Sequence, residues 1–254
     1  MSSEWIDKFY TPGFYQAAYE KTGVLQKFDS AKQAAQIVAL LGAKPGSHIL
    51  DWCGGWGRIS LELLRLGYSV TLLDFCRPFV CQAIAQAQLE GLPLKTVVSD
   101  FRETPWDIRA DFAINIFTAG VGHLGKEEDI KALRSLHAAL KPGAPFLIDT
   151  INFCWLARNF SERGWQESED GRYRLLEKRS FDFLTSTISS LYVFEDRETR
   201  KEERVEATLH PYTPGGLAEI LQMTGFKPVK LFGDFDGSDF GFDSKRIILI
   251  SERR

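Results

Sequence analysis

The stretch that most constrains this chain is HILDWCGGWGR, residues 48–58. A short apolar run ends at Asp51, a turn rich in glycine follows, and residues 59–66 carry apolar side chains at helical spacing. A strand that passes through a glycine turn into a helix presents backbone N–H groups and a helix N-terminus to a small ligand. A second apolar run, SVTLL, ends at Asp74, where folds of this kind bind ribose hydroxyls. The sequence therefore predicts a site for a cofactor that contains a nucleoside.

Composition and charge argue against several classes of partner. Apolar residues make up 44% of the 254 residues, so we expect a sizeable buried core. The formal net charge is -3 and no basic block stands out, so we expect no nucleic-acid partner. No apolar run is long enough for a membrane span, and the N-terminus lacks a secretory pattern. We therefore expect a cytoplasmic protein with no membrane partner.

The cysteines give no sign of a structural framework. The chain has four of them, scattered along its length, and none forms a CxxC pair. This pattern predicts neither a disulfide framework nor a zinc site, and we expect no bound metal. Free cysteines of this kind fit a reducing compartment such as the cytosol.

Strand-like and helix-like segments alternate from residue 47 to about residue 151. The predicted strands are 48–51, 69–74, 95–99, 111–117 and 144–150. The predicted helices are 58–66, 78–90 and 126–140. Alternation of this kind is typical of a parallel sheet with helices on both faces, which is a doubly wound α/β fold.

The pattern changes beyond residue 151. Strand-like segments at 172–181, 187–195 and 204–212 predict an antiparallel meander, and a helix and a terminal strand pair follow it. We therefore divide the chain into an aromatic-rich N-terminal segment or lid, a cofactor-binding core, an antiparallel β insertion that serves as a substrate lid, and a C-terminal helix and strand pair that complete the core sheet. The corresponding ranges are 1–29, 30–151, 152–212 and 213–254.

Acidic residues end three successive predicted strands. They are Asp51, Asp74 and Asp100. Because parallel strands present their carboxyl ends at one edge of a sheet, we expect these carboxylates to share one crevice. The third acid precedes Phe101, and such a pair can bind adenine through its exocyclic amine and its ring face. The three acids together indicate an adenosyl cofactor.

On these motifs, the chain resembles the class I S-adenosylmethionine-dependent methyltransferases of the small-molecule type. The segments that carry the resemblance are ILDWCGGWGR, TLLD, VVSDFRE and LKPGAPFLIDTIN. They cover residues 30–151 well, and residues 213–254 match more loosely. The resemblance implies a Rossmann-like, mostly parallel seven-stranded sheet with an antiparallel β insertion over the active site. Cys53 stands where the first glycine of the motif is usual, so we expect its backbone to avoid positive φ.

The resemblance also implies which residues bind the cofactor, S-adenosylmethionine, whose product is S-adenosylhomocysteine. It implies that Asp51 binds the amino group and Asp74 the ribose hydroxyls, while Asp100 frames one edge of the adenine. The other implied residues flank the methionyl part, the adenine or the path of the methyl group: Cys53, Gly55, Gly57, Phe75, Phe101, Asn115 and Phe117.

The catalytic residues are less constrained by the chemistry. Displacement at a sulfonium methyl needs alignment above all, and a base is required only when the acceptor is protonated. The catalytic candidates lie after the fourth predicted strand and at the end of the insertion: His123, His210 and Tyr212. Each of them can instead serve packing alone. The candidates for acceptor binding lie in the insertion and in the acidic loop GDFDGSDFGFDS: Arg158, Trp165, Tyr212 and Asp236.

Three functions remain open at this point. The leading interpretation is a soluble enzyme, monomer or homodimer, that methylates N, O or C of a small molecule and is similar to bacterial methyltransferases of mostly unassigned substrate. The first alternative is a non-catalytic module that binds or senses an adenosyl cofactor. The second is a nicotinamide-dependent oxidoreductase, which is less favoured because Asp51 precedes the turn and CGGWG does not have the GxGxxG spacing.

Overall fold

The structure is a computed structural model that describes residues 4–254. In chain order its strands are β1 His48–Trp52, β2 Ser69–Asp74, β3 Lys95–Val98, β4 Phe112–Asn115, β5 Pro145–Ile151, β6 Arg163–Glu167, β7 Tyr173–Asp182, β8 Thr187–Asp196, β9 Lys201–Leu209, β10 Phe226–Phe232 and β11 Arg246–Arg253. The α-helices are α1 Glu4–Phe9, α2 Ala17–Lys21, α3 Ser30–Leu41, α4 Arg58–Arg65, α5 Arg77–Leu89, α6 Lys126–Ala139, α7 Phe153–Arg158 and α8 Pro214–Met223.

The chain divides into two compact units. The core unit comprises Ser30–Arg158 and Pro211–Arg254, and the meander unit comprises Asn159–His210 with the N-terminal residues up to Asp29. Residues 1–3 of the predicted N-terminal segment lie outside the described residues.

The core unit is built on a seven-stranded sheet in the order β10-β11-β5-β4-β1-β2-β3. The five strands β1 to β5 run parallel to their neighbours, and β11 is antiparallel to both β5 and β10. Since the parallel strands share one direction, their carboxyl ends lie on one edge, which is the ligand edge of open α/β sheets. The predicted doubly wound, mostly parallel sheet is confirmed.

Helices cover both faces of this sheet because side chains alternate along the strands. In β1, Leu50 and Trp52 belong to the buried cluster that α6 and α8 complete, whereas Ile49 belongs to the cluster on the α3 and α4 side. All three side chains are fully buried. Burying apolar strands on both faces stabilises the sheet, and it leaves the strand ends as the exposed place where a ligand can bind.

The meander unit is an antiparallel sheet in the order β6-β7-β8-β9. Its own core contains Leu175, Phe194 and Val205 from the strands and Phe9 and Phe14 from the N-terminal segment. The antiparallel insertion is therefore confirmed, although it has one more strand than the three predicted. The strand that was not predicted is β6. Its sequence lacks a clear alternation of apolar and polar residues, since most of its side chains are exposed.

Two absences concern only the part of the chain that the structure describes. Between residues 4 and 254, no helix has the length and apolar character that crossing a membrane requires. Within the same residues, no group of three or more His, Cys, Asp or Glu side chains is placed to hold a metal ion.

Candidate active site

The glycine turn, residues 53–57, links β1 to α4 and is packed directly against Asp51. The Asp51 carboxylate is buried and its Oδ2 accepts a hydrogen bond of 2.7 Å from Ser60 Oγ on α4. A Cβ atom at Gly54 would lie 2.7 Å from Asp51 Cγ, so only glycine fits there. Burial raises the pKa of Asp51 to about 6. The first strand end therefore holds a carboxylate in close contact with the turn.

The second carboxylate, that of Asp74 at the end of β2, binds the same turn from the neighbouring strand. Its Oδ2 accepts from Gly55 N at 2.8 Å, and its Oδ1 accepts from Cys76 N at 2.8 Å. Burial raises the pKa of Asp74 to about 6, against the effect of these backbone donors. Phe75 follows it in the chain, at the start of the loop to α5. Asp74 is thus bound by the backbone of the glycine turn, whereas Asp51 is bound by Ser60 of α4.

Cys53 begins the glycine turn, which both Asp51 and Asp74 contact. Burial raises the pKa of its thiol well above its usual range. Three carboxylates add to that shift, those of Asp74, Asp51 and Asp100. The charged form of the Cys53 thiol is therefore disfavoured at the turn that Asp51 and Asp74 contact. The convergence of all three carboxylates on one crevice stays a prediction.

The backbone of Cys53 differs from the expectation. Its φ is 64°, in the left-handed region, so the prediction that this residue avoids positive φ is wrong. The turn has to reverse within a few residues, and Gly55 and Gly57 also adopt positive φ, at 58° and 81°. The Cys53 Sγ atom is in turn close to Gly120, where an added Cβ would lie 2.9 Å away. The cysteine therefore takes the backbone of the glycine it replaces.

The third strand end presents Asp100 in an ion pair. Arg102 binds its carboxylate through Nε at 2.9 Å and through Nη2 at 2.5 Å, and this hydrogen bonding holds the pKa of Asp100 below its usual range. Phe101 is buried, and its ring meets Trp52 with centroids 5.4 Å apart. Sequence reasoning missed Arg102, although an arginine two residues after an acid is a visible signal.

The segment after β4 has the strained backbone often found at functional sites. Asn115 is buried and donates from Nδ2 to Trp52 O at 2.8 Å, which ties β4 to β1 beside the glycine turn. Phe117 and Thr118 are both left-handed, with φ of 70° and 58°. This strain explains why the strand ends at Asn115 rather than at residue 117 as predicted. The predicted methyl path is therefore lined by a backbone held in an unusual conformation.

His123 and Tyr212 are both tied to this segment. His123 Nε2 lies 2.8 Å from Thr118 O. Tyr212 donates its hydroxyl hydrogen to Oδ2 of the buried Asp129 at 2.6 Å, and the same carboxylate accepts from Gly122 N at 3.0 Å. Burial, followed by the charge of Asp129, raises the pKa of the Tyr212 hydroxyl. The structure thus brings two of the three catalytic candidates to the loop that follows β4.

The other candidates belong to other elements. His210 and Trp165 belong to the meander unit, where His210 Nδ1 is 2.9 Å from Thr187 Oγ1 and Trp165 is 63% exposed. In the core unit, Arg158 forms an exposed ion pair of 3.0 Å with Asp243. Asp236 is exposed and accepts from Ser238 N at 2.9 Å, so it closes a turn in the acidic loop.

A buried ion pair that sequence reasoning missed lies behind Phe117. Asp149 at the end of β5 is almost fully buried, and its Oδ1 accepts from Arg246 Nε at 2.7 Å. Its Oδ2 accepts from Phe117 N at 2.8 Å. Asp149 follows the same rule as the three predicted acids, because it too lies near the carboxyl end of a parallel strand. Arg246 begins the antiparallel β11, so only the pairing of the strands brings it to this edge.

The residues present fit an adenosyl sulfonium cofactor. Gly54 leaves no room for a side chain against Asp51, and buried carboxylate oxygens surround the turn from adjacent strands. Carboxylates accept hydrogen bonds from hydroxyl and amino groups, and they favour a nearby positive charge. Asp51, Asp74 and Asp100 would hold such a cofactor, with Phe101 and Phe75 as its apolar neighbours.

Comparisons with known proteins agree with this site. Residues 49–143 match the family described as methyltransferase domain. A glycine/sarcosine N-methyltransferase of Halorhodospira halochloris is 24% identical over 253 residues, which span 96% of this chain and 90% of that protein.

Solved structures show the same fold. An S-adenosylmethionine-dependent methyltransferase from Clostridium acetobutylicum superposes with a TM-score of 0.81 at 14% identity, over 94% of this chain and 97% of that one. The sugar N-methyltransferase KedS8 from Streptoalloteichus superposes with a TM-score of 0.71 at 15% identity, over 94% and 92%. The chain has the class I S-adenosylmethionine-dependent methyltransferase fold. The family match over residues 49–143 and the similar N-methyltransferases support S-adenosylmethionine-dependent methyl transfer as its activity.

Proposed function

We propose that this protein transfers the methyl group of S-adenosylmethionine to the nitrogen atom of a small-molecule amine. The observation that carries the proposal is the glycine/sarcosine N-methyltransferase that aligns over 96% of the chain, well beyond the shared methyltransferase domain. The fold neighbour KedS8, a sugar N-methyltransferase, supports the same class of acceptor atom. The acceptors named for these two proteins differ, and an amine is what they share.

In this proposal the protein aligns the reactants rather than activating the methyl group. When bound, S-adenosylmethionine supplies a methyl group that is already activated on a positively charged sulfur. Asp51 and Asp74 hold the cofactor as carboxylates near neutral pH, because their pKa values of about 6 lie below it. The Phe117–Thr118 backbone fixes the wall along which the acceptor approaches, and such alignment supplies much of the rate of a displacement.

A protonated amine must lose a proton before its nitrogen can attack, and we assign this step to His123. A carbonyl oxygen only accepts hydrogen bonds, so the contact of His123 Nε2 with Thr118 O requires a proton on Nε2. In the neutral ring the basic nitrogen is then Nδ1. Tyr212 is less suited to this role because its hydroxyl already donates to Asp129.

The remaining assignments are part of the same proposal. Arg158, Trp165, Tyr212 and Asp236 are the candidates for acceptor binding, and His210 is a further candidate for catalysis. The protein acts in the cytoplasm as a monomer or homodimer, on a small molecule rather than on nucleic acid.

The proposal is tested by turnover with S-adenosylmethionine labelled in its methyl group. Separate panels of amines, phenols and carboxylates would be incubated with the protein, and S-adenosylhomocysteine and labelled product would be followed by mass spectrometry. We expect label on an amine nitrogen, with glycine, sarcosine and an amino sugar as first candidates. Label on a phenol or a carboxylate alone would overturn the proposal. Binding of S-adenosylmethionine without turnover on any panel would favour a sensing module, and stabilisation by NAD alone would favour an oxidoreductase.

A further inference from the structure

We infer that Arg246, at the start of the last strand, is a positioning residue for methyl transfer. Together with Asp149 it holds Phe117 and Thr118 in the left-handed conformation that places the carbonyl oxygen bound by His123. The inference rests on the proposed function, because the segment held is the one assigned to the acceptor path.

The left-handed conformation of two successive residues must be stabilised by contacts with other parts of the chain. Phe117 has φ of 70° and Thr118 has φ of 58°, and neither is a glycine. Side chains collide with the backbone in this region, most of all β-branched ones such as that of Thr118, so two such residues in succession relax unless their surroundings prevent it. The hold must therefore come from hydrogen bonds to both residues.

The end of β5 supplies these hydrogen bonds. Asp149 Oδ2 accepts from Phe117 N at 2.8 Å, and Asp149 O accepts from Thr118 N at 3.0 Å. The side chain of Thr118 returns a bond, since its Oγ1 accepts from Ile151 N at 3.1 Å. The left-handed pair is thus bonded to β5 through both backbone amides and one hydroxyl.

Arg246 holds the Asp149 carboxylate in place. Its Nε donates to Oδ1 at 2.7 Å, and its guanidinium lies 5.9 Å from the centroid of the Phe117 ring. A buried carboxylate without a positive partner is strongly disfavoured, so loss of the guanidinium would lead Asp149 to move. Arg246 therefore contacts Phe117 twice, through Asp149 at its amide and directly at its ring.

The conformation of Thr118 affects His123 through one further contact. The carbonyl oxygen of Thr118 lies 2.8 Å from His123 Nε2. If the backbone at Phe117 and Thr118 relaxes, this oxygen moves and the imidazole moves with it. The cofactor carboxylates Asp51 and Asp74 are held by other elements, so we expect turnover to suffer while cofactor binding does not.

Amide hydrogen exchange and kinetics together test the inference. The matched control is Arg253→Gln, because Arg253 is also an arginine of β11 but donates to Leu140 O at the other end of the strand. In Arg246→Gln we expect the amides of Phe117 and Thr118 to exchange about 10-fold faster or more. We expect kcat to fall about 10- to 100-fold, while Kd for S-adenosylhomocysteine changes less than about threefold. In Arg246→Lys we expect part of the exchange protection and part of the kcat to be restored. Arg253→Gln should change neither quantity.

Several results would overturn the inference that Arg246 is a positioning residue. Wild-type exchange and kcat in Arg246→Gln would do so, as would equal losses in Arg246→Gln and Arg253→Gln, which would indicate only a structural role. If Arg246→Gln does not fold, amide exchange is measured in Asp149→Asn instead. Unchanged exchange at residues 117 and 118 in that variant would contradict the inference that Asp149 stabilises their conformation. If the wild type methylates no amine, the proposed function fails. The exchange data then still test, by themselves, whether Arg246 and Asp149 stabilise the conformation of residues 117 and 118.

Discussion

At the scale of single residues, Cys53 has the least favourable backbone in the glycine turn. Its φ of 64° costs a residue with a Cβ about 1–2 kcal/mol relative to the right-handed region. Its thiol packs near Gly120 and the Phe101 ring, and burial with three nearby carboxylates keeps that thiol protonated. The residue therefore fills space at the centre of the site while its backbone stores strain.

This strain is measurable by comparing Cys53→Gly with Cys53→Ala. Both changes remove the sulfur atom and its packing, so their difference reports the backbone. We expect the glycine variant to have a free energy of unfolding about 1 kcal/mol higher than the alanine variant, because glycine adopts positive φ without a steric penalty. Urea denaturation checks this. An alanine variant as stable as the glycine variant would show that the turn is not strained at this position.

The charge of Asp74 is a second residue-scale test. Asp74→Asn keeps the size of the side chain but removes the charge that strengthens its hydrogen bonds to cofactor hydroxyls. We expect the binding of S-adenosylhomocysteine to weaken by about 1.5–3 kcal/mol in isothermal calorimetry. The exposed Asp107→Asn is the control and should bind as the wild type does. Equal affinity in the two variants would remove Asp74 from the cofactor site.

At the scale of elements, the loop between β4 and α6 is anchored from the C-terminal part of the core unit. Asp129 on α6 accepts hydrogen bonds from Gly122 N and from the hydroxyl of Tyr212, which precedes α8. The carboxylate is fully buried, and burial raises its pKa to about 6. The loop that carries His123 is therefore fixed by a carboxylate that depends on one tyrosine donor.

Removing that donor should destabilise the protein. Tyr212→Phe takes a hydrogen bond from a buried charged group, and we expect a loss of about 1.5–3 kcal/mol in the free energy of unfolding. Tyr68→Phe is the matched control, since its hydroxyl donates to the neutral Ala43 O at 3.0 Å. A bond to a neutral group contributes about 0.5–1.5 kcal/mol, so that loss should be smaller. Urea denaturation of both variants decides, and an equal loss would contradict the role given to Asp129.

At the scale of the whole molecule, the carboxyl groups fall into two classes with opposite effects on stability. Burial raises the pKa of Asp51, Asp74 and Asp129 to about 6. By contrast, a hydrogen bond from Arg172 lowers the pKa of Asp196 to about 2. The first class disfavours the charged folded state near neutral pH, and the second favours it. The contribution of these carboxyl groups to the stability of the protein without cofactor should therefore be largest at moderately acidic pH.

The sign of this pH dependence follows from the two classes. The three carboxyls with a raised pKa contribute stability that is fully present below the unfolded pKa of about 3.9 and is lost as the pH rises through the folded pKa. Asp196 contributes stability that is present above a pH of about 3.9 and is lost as the pH falls through its folded pKa. Burial lowers the pKa of His48, His137 and His210, so the stability that these groups contribute is lost as the pH falls and opposes the effect of the carboxyls. We therefore compare the wild type with Asp129→Asn by urea denaturation, and we expect the free energy of unfolding of the wild type to rise relative to that of the variant from pH 7 to pH 5. The absence of this relative rise would contradict the burial of the Asp129 carboxyl.

The strands, the helices and the acids at the strand ends could be predicted because they depend on local signals. Apolar periodicity located β1 and β2, and Asp51, Asp74 and Asp100 lie at or just beyond the ends of β1, β2 and β3, as predicted. The positive φ of Phe117 and the pairing of Arg246 with Asp149 could not be predicted, because they depend on partners far away in the chain. A residue such as Thr118 in the left-handed region contradicts its own local preference, and only its tertiary contacts explain it.

The central claim is that the carboxylates of three strand ends form one site for an adenosyl sulfonium. A crystal structure of the protein with S-adenosylhomocysteine tests it most directly. We predict electron density for the ligand along the glycine turn, with its ribose hydroxyls on Asp74 and its adenine beside Asp100 and Phe101. Density at another surface, or a glycine turn that stays without ligand at saturating concentration, would contradict the account.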